Sequence, residues 1–261
     1  LARRLCDGWV LVGARSLFAD AAGWRFGLSY LDMDGVDRQG WLAECWDVPF
    51  EDGSPVRSFP SFKGQRNFVG WWWSATSGRH VGHESWLERD HAMLLDFDAE
   101  IAGFSSQPFG LSWLDGTRQR GHVPDYFARR ADGTALVVDV RADERVEPDD
   151  AEVFAVTEAA CAEVGWEFRR VGALDPVVVG NVRWLSRYRH PRCGQRVDVS
   201  DRLREVFSKP TALRDGVSMA GESLEVLPVL FHLLWRQELT ADLASAALSV
   251  STVVTVAGSG R

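Results

Sequence analysis

The middle of the chain alternates between helical and strand-like spacing of its apolar positions. Helical spacing holds over residues 85–96 and 149–164, and the second segment ends at Gly165. Short segments between and after them predict strands at residues 101–105, 109–114, 120–128, 134–141 and 166–171. A helix, three or four strands, a helix and a strand predict a mixed α/β core.

Two turns predict how the strands of this core pair. Asp115-Gly116 and Asp132-Gly133 each separate two consecutive strand segments. Asp-Gly between two apolar runs is a strong hairpin signal, because both residues accept the backbone angles that tight hairpin turns require. The sequence therefore predicts two successive hairpins in the core.

Strand alternation places three charged residues of the second hairpin. Period two on strand 120–128 puts Asp125 on the same face as Val123 and Phe127. On strand 134–141 it puts Asp139 and Arg141 on one face, so that they project together. If the two strands pair, Asp125 and Asp139 can meet on neighbouring strands. A lone strand aspartate is more often a turn or edge residue, and this alternative applies to each of them singly.

The two ends of the chain have other patterns. Residues 1–60 have no sustained alternation, and strands are predicted there only at 9–12 and 27–31. After Asp175-Pro176, helical spacing appears at 177–188, 201–207, 223–236 and 241–248, followed by a strand at 253–256. Pro228 predicts that the regular part of the third helix begins near Leu227. Two short helices and a strand are typical of a winged-helix-like unit, which binds DNA or proteins.

These patterns divide the chain into three predicted regions. We expect an N-terminal extension of short strands at residues 1–54, an α/β domain at 55–175, and a mainly helical region at 176–261 that contacts DNA or a partner protein. A length of 261 residues suits one large domain or two modest ones.

Composition excludes several classes of protein. No apolar run approaches the roughly 20 residues that a membrane-spanning helix needs. The first ten residues lack the apolar core of a signal peptide. The four cysteines are scattered and form no C-x-x-C pair, which argues against a zinc site or a disulfide framework. These features predict a cytoplasmic protein with no membrane contact.

Charge is unevenly distributed along the chain. The net charge is −8, but residues 181–204 carry seven arginines against two aspartates, a local charge of +5. A local basic stretch matters more for DNA contact than the total charge does; the alternative is a solvated helix face. Residues 55–73 mix aromatic residues with Arg57, Lys63 and Arg66, a combination that stacks on bases or packs as a loop.

Glu88 has two interpretations. Ser85 and Glu88 form the S-x-x-E capping box, in which each side chain satisfies a backbone N–H at the start of a helix. Glu88 also lies on one helix face with Ala92 and Leu95, and a carboxylate among apolar residues needs a partner such as a metal ion. Glu84 is the fallback ligand.

Three acidic residues and one arginine together predict a metal-dependent catalytic site. Glu88 on a helix, Asp125 on a strand, and Asp139 with Arg141 on the next strand are the set that a metal-dependent phosphodiesterase requires. Carboxylate oxygens bind Mg²⁺ or Mn²⁺, and a neighbouring cation steadies the phosphate under attack.

Four segments of the chain, taken in order, form a recognisable set: Gly82-His83-Glu84-Ser85-Trp86-Leu87-Glu88-Arg89-Asp90, Leu94-Leu95-Asp96-Phe97-Asp98, Gln107-Pro108-Phe109 and His122-Val123-Pro124-Asp125-Tyr126. With these segments, the chain resembles the TnsA-like endonuclease subunit of heteromeric transposases. The resemblance covers about residues 55–171 and extends toward Asn181-Val182-Arg183-Trp184.

The resemblance implies a restriction-endonuclease-like fold with a mixed sheet flanked by helices. It implies cleavage of double-stranded DNA at the 5′ ends of a mobile element, beside a DDE-type transposase or integrase subunit and an AAA+ ATPase regulator. The expected place of action is the bacterial nucleoid. Glu88, Asp125, Asp139 and the main-chain carbonyl of Val140 would hold Mg²⁺ or Mn²⁺. DNA contacts are predicted from Lys63, Arg66, Arg183, Arg187 and Arg189.

Arg141 departs from the family pattern, which usually has lysine at this position. Arginine effectively cannot lose its proton, so Arg141 cannot act as a general base. It can bind the scissile phosphate and stabilise the developing charge, with a metal-activated water as nucleophile. The substitution is also compatible with slow or lost cleavage. Two alternatives therefore stand beside the transposition nuclease: a catalytically degenerate DNA- and protein-binding scaffold, and a restriction or repair nuclease that acts alone.

Overall fold

The computed structural model describes residues 26–59 and 68–258. Within them, the strands in chain order are β1 (Gly27–Leu31), β2 (Asp37–Trp41), β3 (Gly70–Trp73), β4 (His80–His83), β5 (Ile101–Ser106), β6 (Gly110–Asp115), β7 (Arg118–His122), β8 (Tyr126–Arg130), β9 (Ala135–Val140), β10 (Glu167–Val171), β11 (Thr211–Ala212), β12 (Leu239–Ala241) and β13 (Val253–Val256). The α-helices are α1 (Leu42–Cys45), α2 (Trp86–Phe97), α3 (Pro148–Glu163), α4 (Pro176–Leu185), α5 (Val197–Val206), α6 (Leu213–Ala220) and α7 (Ser223–Trp235). The predicted mixed α/β class is confirmed.

The chain divides into two compact units, each built from two segments. Of the described residues, the first unit contains 26–59 and 103–171, and the second contains 68–102 and 172–258. The predicted regions at 1–54, 55–175 and 176–261 remain a prediction. None of the helices in the described ranges is long and apolar enough to cross a membrane.

The first unit contains two four-stranded sheets. One has the order β2-β1-β6-β7, and its neighbouring strands are all antiparallel. The other has the order β10-β9-β8-β5 and is mixed, because β8 and β9 are antiparallel while β9 and β10 are parallel. Helix α3 provides the crossover from β9 to β10 that a parallel pair needs.

Aromatic side chains fill the core of the first unit. Phe50, Phe109 and Phe127 are almost fully buried and meet edge to face, and Trp166 packs against all three. Ala160 and Cys161 of α3 belong to the same buried cluster. Burial of this apolar area holds the strands and α3 together.

The second unit joins a hairpin to a helical bundle. Strands β3 and β4 pair with each other, and the buried carboxylate of Asp96 on α2 accepts hydrogen bonds from the loop between them. In the C-terminal part, α5, α6 and α7 pack together beside a small sheet of order β11-β13-β12. This agrees with the predicted helical tail.

One predicted strand is wrong in its extent. Residues 120–128 form two strands rather than one: β7 pairs with β6 in one sheet, and β8 pairs with β9 in the other. Pro124 lies between them and has no N–H to donate to a ladder. The chain leaves the first sheet at His122 and enters the second at Tyr126.

Two predictions about the tail are also wrong. Residues 241–248 form no helix; Asp242 accepts hydrogen bonds from the N–H groups of Ala244 and Ser245, and Asn181 bonds the backbone at Leu243, Ala246 and Leu248. Such side-chain bonds give the backbone an alternative to the helix.

Helix α7 begins at Ser223 rather than near Leu227, with Pro228 inside it. The proline leaves the carbonyl of Leu224 without its helical donor, and Leu224 is 92% exposed, so water can solvate this end of the helix.

The predicted strand at 27–31 is confirmed, whereas the predicted strand at 9–12, Lys63 and Arg66 lie outside the described residues.

Candidate functional site

Asp125 and Asp139 face each other at one end of the β8/β9 pair. The ladder ends with Tyr126 opposite Val138, so the next pair outward is Asp125 and Asp139. The main-chain N–H of Asp125 donates to Asp139 Oδ1 at 3.3 Å, and the N–H of Val140 donates to Asp125 Oδ2 at 2.7 Å. Each carboxylate is therefore held by the backbone of the other strand. The predicted pairing of these two strands, with both acids at neighbouring positions, is confirmed.

The turn at the opposite end of this hairpin explains the register. Gly133 has a φ of +87°, and its N–H donates to Arg130 O, while the N–H of Thr134 donates to Asp132 Oδ1. Glycine accepts this left-handed angle without strain, so the Asp-Gly turn closes as predicted. Because the turn fixes the register, it also fixes Asp125 opposite Asp139.

The site lies where the chain passes between the two sheets of the first unit. One passage runs through residues 107–109, from β5 to β6, and the other through residues 123–125, from β7 to β8. The N–H of Gln107 donates to the carbonyl of Asp125 at 2.9 Å and ties the two passages together. Gln107 is buried and has a φ of +48°, an uncommon angle for a residue with a side chain. Backbone strain of this kind clusters at functional sites.

His122 is a member of the site that the sequence did not identify. Its Nε2 lies 2.8 Å from Asp139 Oδ2, and its ring packs nearly perpendicular to that of Phe154 on α3. The Asp139 side chain is 3% exposed and that of His122 is 20% exposed. His122 occurs three residues before Asp125 in the sequence, but its role depends on a bond to a residue seventeen positions away, which local patterning does not reveal.

The buried thiol of Cys161 lies near the carboxylate of Asp139. Burial raises the pKa of the Cys161 thiol to about 12, and the nearby charge of Asp139 adds to this increase. Cys161 therefore stays a neutral thiol at physiological pH and is no candidate nucleophile, because the thiolate is the reactive form.

Arg141 lies just after β9 and is directed toward the start of α3. Its Nη2 lies 2.8 Å from Asp150 Oδ2, and its Nε donates to the carbonyl of Arg145 at 3.2 Å. Asp150 also accepts the N–H of Glu147 as part of the capping box of α3. The guanidinium thus has a structural partner, and its side chain remains 40% exposed.

Arg170 is a second cation that the sequence did not single out. It is the register partner of Asp139 on β10, so the two side chains leave the sheet on the same face. Its guanidinium pairs with Asp143 and donates to the carbonyl of Arg141. With Phe154 and Phe168, Arg170 lines a groove of about 350 Å³.

Glu88 belongs to the second unit, and its capping interpretation is confirmed in part: Ser85 caps the helix, while the Glu88 carboxylate accepts from the residue before the cap. The Ser85 hydroxyl accepts the N–H of Glu88 at 3.1 Å and donates to Glu88 Oε1 at 2.8 Å. The other carboxylate oxygen accepts the N–H of Glu84 at 2.6 Å. A role for Glu88 or Glu84 as a metal ligand remains a prediction.

The arginine-rich stretch contains residues in different environments. Arg189 is directed into its own unit: it lies 4.1 Å from the Trp72 ring and donates to the carbonyls of Trp73 and Ser186. Burial lowers the pKa of Arg189 from its ordinary value. Arg183 is half exposed and pairs with Asp90, while Arg187 is exposed and stacks on Trp184.

No group of three or more His, Cys, Asp and Glu side chains stands ready for a metal ion within residues 26–59 and 68–258. Mg²⁺ commonly uses only one or two carboxylates and keeps several waters, so two aspartates are a fitting donor set.

No protein-family model matches this chain, and no curated protein matches it.

Proposed function

We propose that this protein is a divalent-metal-dependent DNA endonuclease subunit of a transposition machinery. The observation that supports it best is the cross-strand pair of Asp125 and Asp139, each carboxylate bonded to the backbone of the opposite strand. Like charges directly opposite in a sheet are destabilising. A cation bound between the two carboxylates would cancel their repulsion, and this relief would add to the affinity for the cation.

The donor set fits Mg²⁺ or Mn²⁺. Asp125, Asp139 and the carbonyl of Val140 offer only oxygen ligands, which these ions prefer. When bound, such an ion supplies Lewis-acid stabilisation of phosphate charge and lowers the pKa of a nearby water. The protein's own contribution is to hold the two carboxylates at fixed strand positions. A metal-ligand role for Glu88 stays a prediction from the TnsA resemblance.

The order of elements supports the restriction-endonuclease-like fold implied by the TnsA resemblance. Helix α2, strands β5, β8 and β9, helix α3 and strand β10 follow one another, with the β6–β7 hairpin inserted, and the four strands form one mixed sheet. We further propose a winged-helix-like C-terminal part. The order α5, β11, α6, α7, β12, β13 and the sheet order β11-β13-β12 support it.

A cation beside the acids is needed to steady the scissile phosphate. Arg141 can provide it with a bidentate contact if its pair with Asp150 opens, which is inexpensive because half-exposed ion pairs contribute only about 0–1 kcal/mol. Arg170 is the second candidate, on the same face as Asp139. The substrate would be double-stranded DNA at mobile-element ends in the bacterial cytoplasm, with a DDE-type transposase and an AAA+ ATPase as partners.

Cleavage of element-end DNA tests this proposal. The wild type with the DDE-type partner and Mg²⁺ or Mn²⁺ should cut at the 5′ ends, and Asp125→Asn and Asp139→Asn should each lose most of this activity. Asp149→Asn is the matched control, because Asp149 is an exposed aspartate in the first turn of α3. If the two site variants cut as well as the wild type, the assignment is wrong.

A second candidate function is a DNA- and protein-binding scaffold with a degenerate site. The bond of Arg141 to Asp150 within the capping box of α3 favours it, because this gives the arginine a role in folding. The two candidates differ in metal binding. Calorimetric titration with Mn²⁺ should give binding that depends on Asp125 and Asp139 if the site is catalytic, and none if it is a scaffold.

A further inference from the structure

The carboxylate of Asp139 is almost completely buried. Its side chain is 3% exposed, and a buried carboxylate is costly unless it is hydrogen-bonded or paired. One N–H reaches each oxygen: the backbone of Asp125 at Oδ1 and the ring of His122 at Oδ2. An ionised carboxylate has about four lone-pair directions, so the described bonds use two of them.

His122 is the side-chain partner of Asp139, and it comes from the other sheet. It ends β7, where it pairs with Leu111 of β6, whereas Asp139 lies in β9. The ring of Phe154 on α3 lies 6.4 Å from the imidazole, centroid to centroid, with the two planes nearly perpendicular. Because a carboxylate only accepts, the ring nitrogen facing it must be the donor. The imidazole therefore fixes the rotation of the Asp139 carboxylate about its own side-chain bond.

We propose that His122 is a positioning residue that orients Asp139 for a divalent cation. The inference rests on the proposed function, because it assigns a role within that metal site. Groups that hydrogen-bond a metal-ligating carboxylate fix the oxygen that faces the ion, and their loss typically costs about 10–100-fold in metal affinity. The competing explanation is that His122 only compensates a buried charge and joins two sheets.

The experiment is a calorimetric titration with Mn²⁺ of the full chain and three His122 variants. The quantity compared is the part of Mn²⁺ binding that disappears in Asp139→Asn. His122→Gln keeps an N–H donor at the reach of Nε2 and should bind Mn²⁺ nearly as the wild type does. His122→Asn is polar but one carbon shorter, and His122→Leu has no donor; both should bind about 10–100-fold more weakly.

Each outcome decides between the explanations. If His122→Asn and His122→Leu bind Mn²⁺ as tightly as His122→Gln while unfolding at lower urea concentrations, His122 is structural and the inference is overturned. If His122→Leu fails to fold, the contrast between the Gln and Asn variants still decides. Absence of any Asp139-dependent Mn²⁺ binding in the wild type overturns the proposed function itself. His80→Leu, at an exposed histidine of β4, is the control and should change nothing.

Discussion

Two buried aspartates of this chain differ in how completely the protein satisfies them. Asp96 is 4% exposed and accepts four donors: Trp72 Nε1, the Ser74 hydroxyl, and the N–H groups of Ala75 and Thr76. These account for its full accepting capacity. Asp139 is equally buried but receives only two described donors. The difference indicates a structural role for Asp96 and capacity for a ligand at Asp139.

This contrast predicts different costs of substitution. In Asp96→Asn, an NH₂ group faces two of the four donors, so these two buried donors lose their charged acceptor. The free energy of unfolding should therefore fall by about 2–4 kcal/mol. Urea denaturation measures it. Asp98→Asn, on the exposed C-cap of the same helix, is the control and should cost well under about 1 kcal/mol. Equal effects of the two changes would contradict the structural role of Asp96.

At the scale of elements, one glycine determines how closely α6 packs against the residue that ends α5. A Cβ on Gly216 of α6 would lie 2.2 Å from the Phe207 ring, whereas a Cβ on Gly180 of α4 would have nothing within 4 Å. Phe207 is fully buried at the end of α5, so its ring has little freedom to move away. Gly216 thus allows α6 to approach Phe207.

These two helical glycines give a matched prediction. Gly216→Ala should lower the free energy of unfolding by about 1–3 kcal/mol through overpacking. Gly180→Ala should raise it by about 0.5–1 kcal/mol, because alanine loses less conformational freedom than glycine in a helix. Thermal and urea unfolding of both variants measure the difference. A stabilising Gly216→Ala would mean that Phe207 can rearrange at little cost.

The parts of this fold that depend on contacts between residues close in sequence were predictable, and the parts that depend on distant contacts were not. The hairpin that pairs Asp125 with Asp139 was predictable, because alternation and an Asp-Gly turn are local signals. The switch of sheets between His122 and Tyr126 was not, since strand propensity continues across it and only Pro124 marks the break. The bond from His122 to Asp139 was missed for the same reason: it joins two sheets.

The tail shows the same limit. Residues 241–248 have helical spacing of apolar positions, but Asn181 on α4 bonds three backbone groups of this segment and holds it as a loop. The sequence contains no sign that a residue 62 to 67 positions earlier makes these bonds. Capping of α2 by Ser85 and Glu88 was predictable, because its partners are three residues apart.

At the scale of the whole molecule, the charge distribution limits how the proposed DNA substrate could bind. A net charge of −8 repels a polyanion, so any affinity must come from local cations that are not committed to acids. Much of the arginine-rich stretch is committed: Arg196 and Arg202 pair with Asp198, and Arg204 pairs with Asp201 and Glu238. Arg187 differs, since it is exposed and its described partner is the ring of Trp184.

Arg187 should therefore contribute more to DNA binding than Arg183, whose pair with Asp90 must open first. Arg187→Gln should weaken binding to a duplex of arbitrary sequence and reduce the slope of log K against log salt concentration by about 0.9, the value for one lost phosphate contact. Arg183→Gln should have a smaller effect, and Asp90→Asn should strengthen binding by releasing Arg183.

Fluorescence anisotropy in EDTA at several salt concentrations measures these slopes without cleavage. Arg38→Gln, on β2 and paired with Asp32, is the control. Unchanged slopes in both Arg183 and Arg187 variants would mean that this stretch is a solvated helix face that does not contact DNA.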